Sequence, residues 1–449
     1  MSGQDLIGGA ILSGVFLALL VSAELWRRFG SPKPEWTRKL VHVGGGLACL
    51  LFPFLVRSPW VVLAMAATLA AVFALAARTD LLPSLHDVER KSRGVEYYPL
   101  AVALTFFLTQ GRPWLYLAAL LVLAIGDASA ALVGSRYGRI RYEVEQSEKS
   151  LEGSAVFLLV AFLAIHLPML LMTDLPRPIC VLAALLVAIL VTGFEAISLE
   201  GADNLFVPLA VVFVLGKITT KPFSEVLFQN ASLLVICCLI GILVWRYPLF
   251  NAGAGIAVTL FAYGTWSLGS WEWAVPVLIG VAVYLIVASR LAREDPVRFQ
   301  VRTVARALIP LFLILVLANA FDRYDQLFGP YLAACAAVLA FALSRRVSRA
   351  RSARLGTRLA LVSLLAGAAT AATTSISWFK QGNLPPDTLL VHAAAVFLVT
   401  LALVTWEGAP RAPRRQDWGA SRFLLSVTAG LLVLVLQVAE VIPPWHPAP

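Results

Sequence analysis

Charge is scarce in this chain. Only 14% of its 449 residues are charged, and acids are the rarer sign, 26 against 36 basic residues. So little charge excludes an ordinary solvated domain of this length. Cysteine is sparse too. Cys49, Cys180, Cys237, Cys238 and Cys335 all fall in apolar stretches. They lack metal-ligand spacing, so they read as packing residues. There is no Gly-x-x-x-x-Gly-Lys-[Ser/Thr] loop, no His-Arg-Asp catalytic loop and no His-Glu-x-x-His helix. A soluble-type nucleotide site and a zinc-protease helix are thereby excluded. Short segments of alternating polarity are also missing, which argues against a β-barrel. The opening Met1-Ser2-Gly3-Gln4-Asp5 carries no basic residue. The first apolar run therefore reads as an anchor and not as a cleaved signal.

What the chain does have is apolar runs, and hydrophobic residues make up 59% of it. A helix needs about 20 apolar residues to cross a hydrocarbon core. Sixteen candidate stretches run from 6–26 to 421–441, those at 97–110 and 204–216 being short. The expected fold is an all-α polytopic transmembrane helical bundle of about 13–16 spans. Alternating spans with the N-terminus outside put 29 of the 36 basic residues on one side and seven on the other. That asymmetry makes the richer side cytoplasmic.

The net charge of +10 is first of all this topology signal. It would also attract anionic membrane lipids. Spread over many short loops, it does not describe a nucleic-acid surface. The Ala, Leu and Arg bias points to a bacterial inner (plasma) membrane protein. Nothing in the sequence supports an oligomer.

Polar residues at span ends concentrate before about residue 216. The expected organisation is a catalytic membrane domain over 1–221. A second transmembrane helical domain of unassigned role would follow over 222–449.

Asp127 stands in an apolar segment, in Ala124-Ile125-Gly126-Asp127-Ala128. A carboxylate within a membrane span costs roughly 2.5–3.5 kcal/mol on insertion scales, so it asks for a function or a partner. The alternating topology puts it roughly 10 Å from the cytoplasmic end of its span. Other polar groups fall at the same level. Arg38, Lys39 and His42 open one span, and Gly44-Gly45-Gly46 follows. Arg93 and Glu96 precede another, and Lys149, Ser150, Glu152, Gly153 and Ser154 lead into a third. Glu195 ends a span, and Asp203-Asn204 begins the next.

The residue types point to a chemistry. Carboxylates and an amide oxygen (Asp127, Asp203, Asn204 and Glu195) suit Mg²⁺, a hard cation. Arg38, Lys39, Arg93 and Lys149 suit polyphosphate. Helix N-termini behind Ser150 and Ser154 offer backbone N–H groups to anions. Together these fit nucleotide-dependent phosphoryl or nucleotidyl transfer at a membrane face. Bland alternatives stay open: Asp127 as a buried partner of an arginine, Glu152 as a complement to a helix dipole, Asp203-Asn204 as a turn and cap.

The pieces occur in the order Arg38-Lys39-x-x-His42, Glu96-Tyr97-Tyr98-Pro99, Gly126-Asp127 with Gly134, Lys149-Ser150-x-Glu152-Gly153-Ser154, and Glu195 with Asp203-Asn204. Over about 36–216 the chain resembles the phytol kinase and dolichol kinase family, relatives of the phosphatidate cytidylyltransferases. The resemblance implies a CTP-dependent kinase acting on the hydroxyl of an isoprenoid or other lipid alcohol. It implies Asp127 as a Mg²⁺ or catalytic carboxylate, with Asp203 as a second acidic ligand. Lys149, Ser150, Glu152 and Gly153 would form the nucleotide-phosphate loop. A carboxylate such as Glu195, or His42, would take the proton of the alcohol. From Phe250 the chain faintly resembles the membrane family that includes phytyl-phosphate kinase, which would make it a fusion. Two other functions remain open: synthesis of a CDP-lipid, and lipid transport. A transporter should carry polar groups in the outer halves of its spans, and this sequence has almost none there.

Overall fold

The computed structural model describes residues 3–30, 34–79, 94–145, 147–199, 201–291, 299–350, 368, 386–407 and 418–441. The protein is all-α, with one short hairpin among the described residues. Eight of the described helices are long and apolar enough to cross a membrane, and five shorter apolar helices accompany them. This is the architecture of an integral membrane protein. The candidate span at 358–377 lies outside the described residues, Ala368 apart.

The chain divides into two compact units. The first comprises residues 1–142 and 147–231, the second residues 143–146 and 232–449. In the first unit, α1 (Gly3–Gly30), α2 (Pro34–Cys49), the single turn α3 (Phe52–Leu55), α4 (Pro59–Thr79) and α5 (Gly94–Leu108) come first. Next comes α6 (Pro113–Leu121), which runs through a π-turn, Val122–Gly126, into α7 (Asp127–Tyr137). The hairpin β1 (Arg141–Val144) and β2 (Ser147–Ser150) follows, with Glu143 and Val144 counted in the second unit. Then come α8 (Leu151–Met172), α9 (Arg177–Ile197), α10 (Asp203–Ile218) and the start of α11 (Phe223–Arg246).

Lipid tails give little hydrophobic incentive for helices to associate, so small residues that allow close approach decide the packing. Three glycines show this. A Cβ on Gly8 would lie 2.2 Å from the Leu55 carbonyl oxygen. One on Gly44 would lie 2.8 Å from Leu19, and one on Gly46 would lie 2.4 Å from the Ala124 Cβ. Asp5 is buried but satisfied, because its Oδ1 accepts the backbone N–H groups of Arg57 at 2.8 Å and Ser58 at 3.2 Å. The helix α9 is the most enclosed span of this unit, with Ala183, Ala184, Leu186, Val187 and Ala188 all at 0% exposure. Being apolar on every side, it suits the middle of a bundle, and it carries Glu195 near its C-terminal end.

The second unit consists of the rest of α11 with α12 (Ala252–Gly269), α13 (Trp271–Leu291), α14 (Val301–Ala320), α15 (Tyr324–Ala350), α16 (Pro386–Glu407) and α17 (Trp418–Val438). Asn251 caps α12 by accepting the Ala254 N–H at 2.8 Å. Trp273, fully buried, packs against Tyr331 at 4.7 Å between ring centroids. The Tyr331 hydroxyl donates to the Trp273 carbonyl at 2.6 Å.

Candidate functional site

The π-turn is the first device of the site. One residue more than an α-turn shifts every following side chain by about 100° around the axis, and such turns recur at functional sites. Asp127 is the first residue after it. Glu195 arrives from the end of α9, and Asp203 begins α10. One carboxylate oxygen from each of Asp127, Glu195 and Asp203 lies within 4.8 Å of the others. Glu195 is 7% exposed, whereas the Asp127 side chain is 42% exposed and open to a ligand.

Three carboxylates this close repel one another. At 4.8 Å each pair costs about 3 kcal/mol at an effective dielectric of 20, less where Asp127 is solvated. Lys149 answers part of that cost. Its Nζ donates to Glu195 Oε1 at 2.7 Å and also to the Glu195 backbone carbonyl. The hairpin explains how Lys149 gets there, because β2 ends at Ser150 and carries Lys149 towards the end of α9. Among the described residues, one ammonium bonds one of the three acids. The all-oxygen donor set fits a divalent cation of the Mg²⁺ class.

Around this cluster the neighbouring residues have local partners. Ser150 caps α8, its Oγ accepting the Gly153 N–H at 3.1 Å. Gly153 is buried where a Cβ would stand 3.0 Å from the Ala130 carbonyl oxygen. Glu152 Oε1 accepts the backbone N–H groups of Arg139 at 2.9 Å and Ile140 at 3.1 Å, closing the turn after α7. The hydroxyls of Tyr142 and Ser154 are 2.8 Å apart. Burial above all holds the Tyr142 phenol above its ordinary range. Glu195 adds to that, against the lowering effects of Ser154 and Lys149. Tyr142 is therefore a neutral phenol at physiological pH. Asp203 donates its backbone N–H to Ser198 Oγ at 2.8 Å, which fixes the start of α10.

His42 reaches the same place from α2. Its Nε2 lies 3.9 Å from Asp127 Oδ2 and 3.3 Å from the carbonyl oxygen of Leu123, inside the π-turn. Lys39 is one turn earlier on α2 and is partly exposed. Asn204 follows Asp203 in the first turn of α10. The Arg38 side chain, the Glu96 side chain and all of Arg93 lie outside the described residues.

The structure thus brings together Asp127, Glu195, Asp203, Lys149 and His42. Ser150, Glu152 and Gly153 are seen in capping and packing roles beside them. Sequence reasoning passed over Tyr142, Ser198 and the π-turn. Ser198 stands five residues before Asp203 and could have been found as a hydroxyl preceding a helix start. Tyr142 and the π-turn left no local signal.

A search against protein-family models matches none, and no solved structure matches the chain. A curated protein does: the "Phytol kinase" of Synechocystis sp. is 37% identical over 199 residues, which cover 44% of this chain and 85% of that protein. The chain belongs to the phytol kinase family. Members of a phytol kinase family are alcohol phosphotransferases, and this chain is one. The first compact unit contains the carboxylate cluster.

Proposed function

We propose that this protein is a CTP-dependent, Mg²⁺-requiring kinase that phosphorylates an isoprenoid alcohol of the phytol type at the cytoplasmic face of a bacterial inner membrane. The observation that carries the proposal is the convergence of Asp127, Glu195 and Asp203 from three helices, with Lys149 among them. The family relation supports the lipid-alcohol acceptor. The basic-residue asymmetry supports the cytoplasmic face. The resemblance of the motifs supports CTP as donor.

Asp127 and Asp203 would hold the cation, with Glu195 beside them and Asn204 as a further oxygen donor. Bound there, Mg²⁺ would neutralise the donor's phosphates and polarise the phosphorus that is attacked. Lys149 and Lys39, with Arg38 and Arg93, would meet the triphosphate from the cytoplasm. The alcohol would enter sideways between spans and keep its tail among lipids. Its oxygen bonds to the terminal phosphorus, the bond from that phosphorus to the CDP oxygen breaks, and CDP leaves. The hydroxyl proton passes to a carboxylate of the cluster or to His42. Catalysis is mainly positioning and charge neutralisation, with proton transfer adding about 10²–10⁴-fold.

The test supplies terminally labelled CTP or ATP with phytol, a polyprenol or diacylglycerol to the purified full chain. Label should move from CTP to phytol. Release of pyrophosphate with formation of a CDP-lipid would replace the kinase by a cytidylyltransferase. Transfer to no acceptor, by protein that is folded and supplied with Mg²⁺, would end the proposal.

A further inference from the structure

We infer that His42 is a positioning residue that locks the π-turn behind Asp127. The inference deepens the kinase reading and rests on it for the role of Asp127. The geometry is separate from that reading.

The ring nitrogen of His42 that faces the acid cluster is Nε2. Its neighbours are the Leu123 carbonyl oxygen at 3.3 Å and Asp127 Oδ2 at 3.9 Å. A carbonyl oxygen can only accept, and an ionised carboxylate can only accept. Nε2 donates its hydrogen to the Leu123 carbonyl oxygen and so ties α2 to the π-turn.

The surroundings complete the clamp. Gly46 lies one turn after His42 on the same face of α2. A Cβ there would stand 2.4 Å from Ala124 Cβ and 2.6 Å from the Tyr98 hydroxyl oxygen. The helix α2 thus touches the π-turn at two successive residues, Leu123 through His42 and Ala124 through Gly46. Tyr98 closes the third side. Its ring meets the His42 ring edge-on at 4.9 Å, and its hydroxyl lies 3.5 Å from the His42 carbonyl oxygen. A π-turn is a rare backbone state that persists where its surroundings hold it. Asp127 begins directly after it, so the direction of the carboxylate depends on the clamp.

The test uses the full chain in lipid nanodiscs and has two arms. In the first, protein labelled with ¹⁵N-histidine is read by solid-state NMR, and His42 is assigned by its absence from His42→Gln. The expected spectrum shows hydrogen on Nε2. A bare Nε2 with hydrogen on Nδ1 would overturn the inference.

The second arm compares His42→Gln, whose amide still donates, with His42→Ala. Mn²⁺ affinity is followed by electron paramagnetic resonance alongside kcat. His42→Ala should weaken Mn²⁺ binding by about tenfold, as loss of a group orienting a ligand does. His42→Gln should restore most of both affinity and kcat. A fall in kcat on the order of 100-fold or more in His42→Gln, with Mn²⁺ affinity intact, is the signature of a lost base and would refute the inference. Wild-type protein that binds no Mn²⁺ would sink the metal reading, and the first arm would still decide the tautomer.

Discussion

Removing the Lys149 ammonium should expose how strongly the site depends on it. Lys149 Nζ and Glu195 Oε1 are 2.7 Å apart, with side-chain exposures of 21% and 10%. Their attraction is about 6 kcal/mol at an effective dielectric of 20. Desolvating the two ions takes back several kcal/mol for each, so the net worth of the pair is small. Losing only one partner is different. Lys149→Met leaves the Glu195 carboxylate buried and unpaired, with Asp127 and Asp203 within 4.8 Å. The expected destabilisation is about 3 kcal/mol, the low end for a broken buried pair. Lys149→Met with Glu195→Gln removes both charges and should recover most of that loss. The cycle should show about 2 kcal/mol of coupling. The assay is unfolding in mixed detergent micelles, followed by tryptophan fluorescence, on the wild type and three variants in chelator. Adding Mg²⁺ should narrow the gap between Lys149→Met and wild type, because the cation takes over neutralisation. Additive effects, or a Lys149→Met penalty under about 0.5 kcal/mol as for an exposed pair, would refute the reasoning.

Gly46→Ala should cost about 1–3 kcal/mol by overpacking, because the new methyl meets Ala124 at 2.4 Å. Among the described residues Gly45→Ala meets only Phe16 at 3.7 Å and Leu19 at 3.9 Å and should be close to neutral, and thermal unfolding of both variants checks the contrast. Ser150→Ala removes the cap of α8 and should lower stability by about 1 kcal/mol. Chelation should abolish turnover. Mg²⁺ or Mn²⁺ should restore it better than Ca²⁺, whose longer bonds and higher coordination suit the cluster less well. The label-transfer assay reads each ion.

Much of the fold and part of the site could be read from the sequence, for identifiable reasons. Apolar runs of membrane-crossing length record the solvent in which they fold, so the helical membrane architecture was visible directly. Asp127 stood out because a carboxylate in such a run is expensive, and Glu195 because it ends another. The grouping of Asp127, Glu195 and Asp203 followed from the alternation of spans. The partner of Lys149 was not visible. Its expected role was phosphate binding, and the structure sets it on Glu195, 46 residues away. Nothing local encodes that contact. Glu152 was expected at the phosphate and is seen accepting from the Arg139 and Ile140 amides just after α7. The hairpin at 141–150 lay hidden in a loop too short and too charged to read as strands. The π-turn leaves an unbroken helical pattern in the sequence and shows only in the backbone.

The most direct measurement is label transfer from CTP to phytol by Asp127→Asn beside wild type, in Mg²⁺, with folding of the variant verified. The substitution keeps the size of the side chain and removes the charge that the cation and phosphates require. The account predicts a loss on the order of 10²–10³-fold in kcat, with stability unchanged or improved because one of three repelling acids is gone. Turnover by Asp127→Asn within about threefold of wild type, well short of that loss, would contradict the claim that Asp127, Glu195 and Asp203 form the catalytic centre.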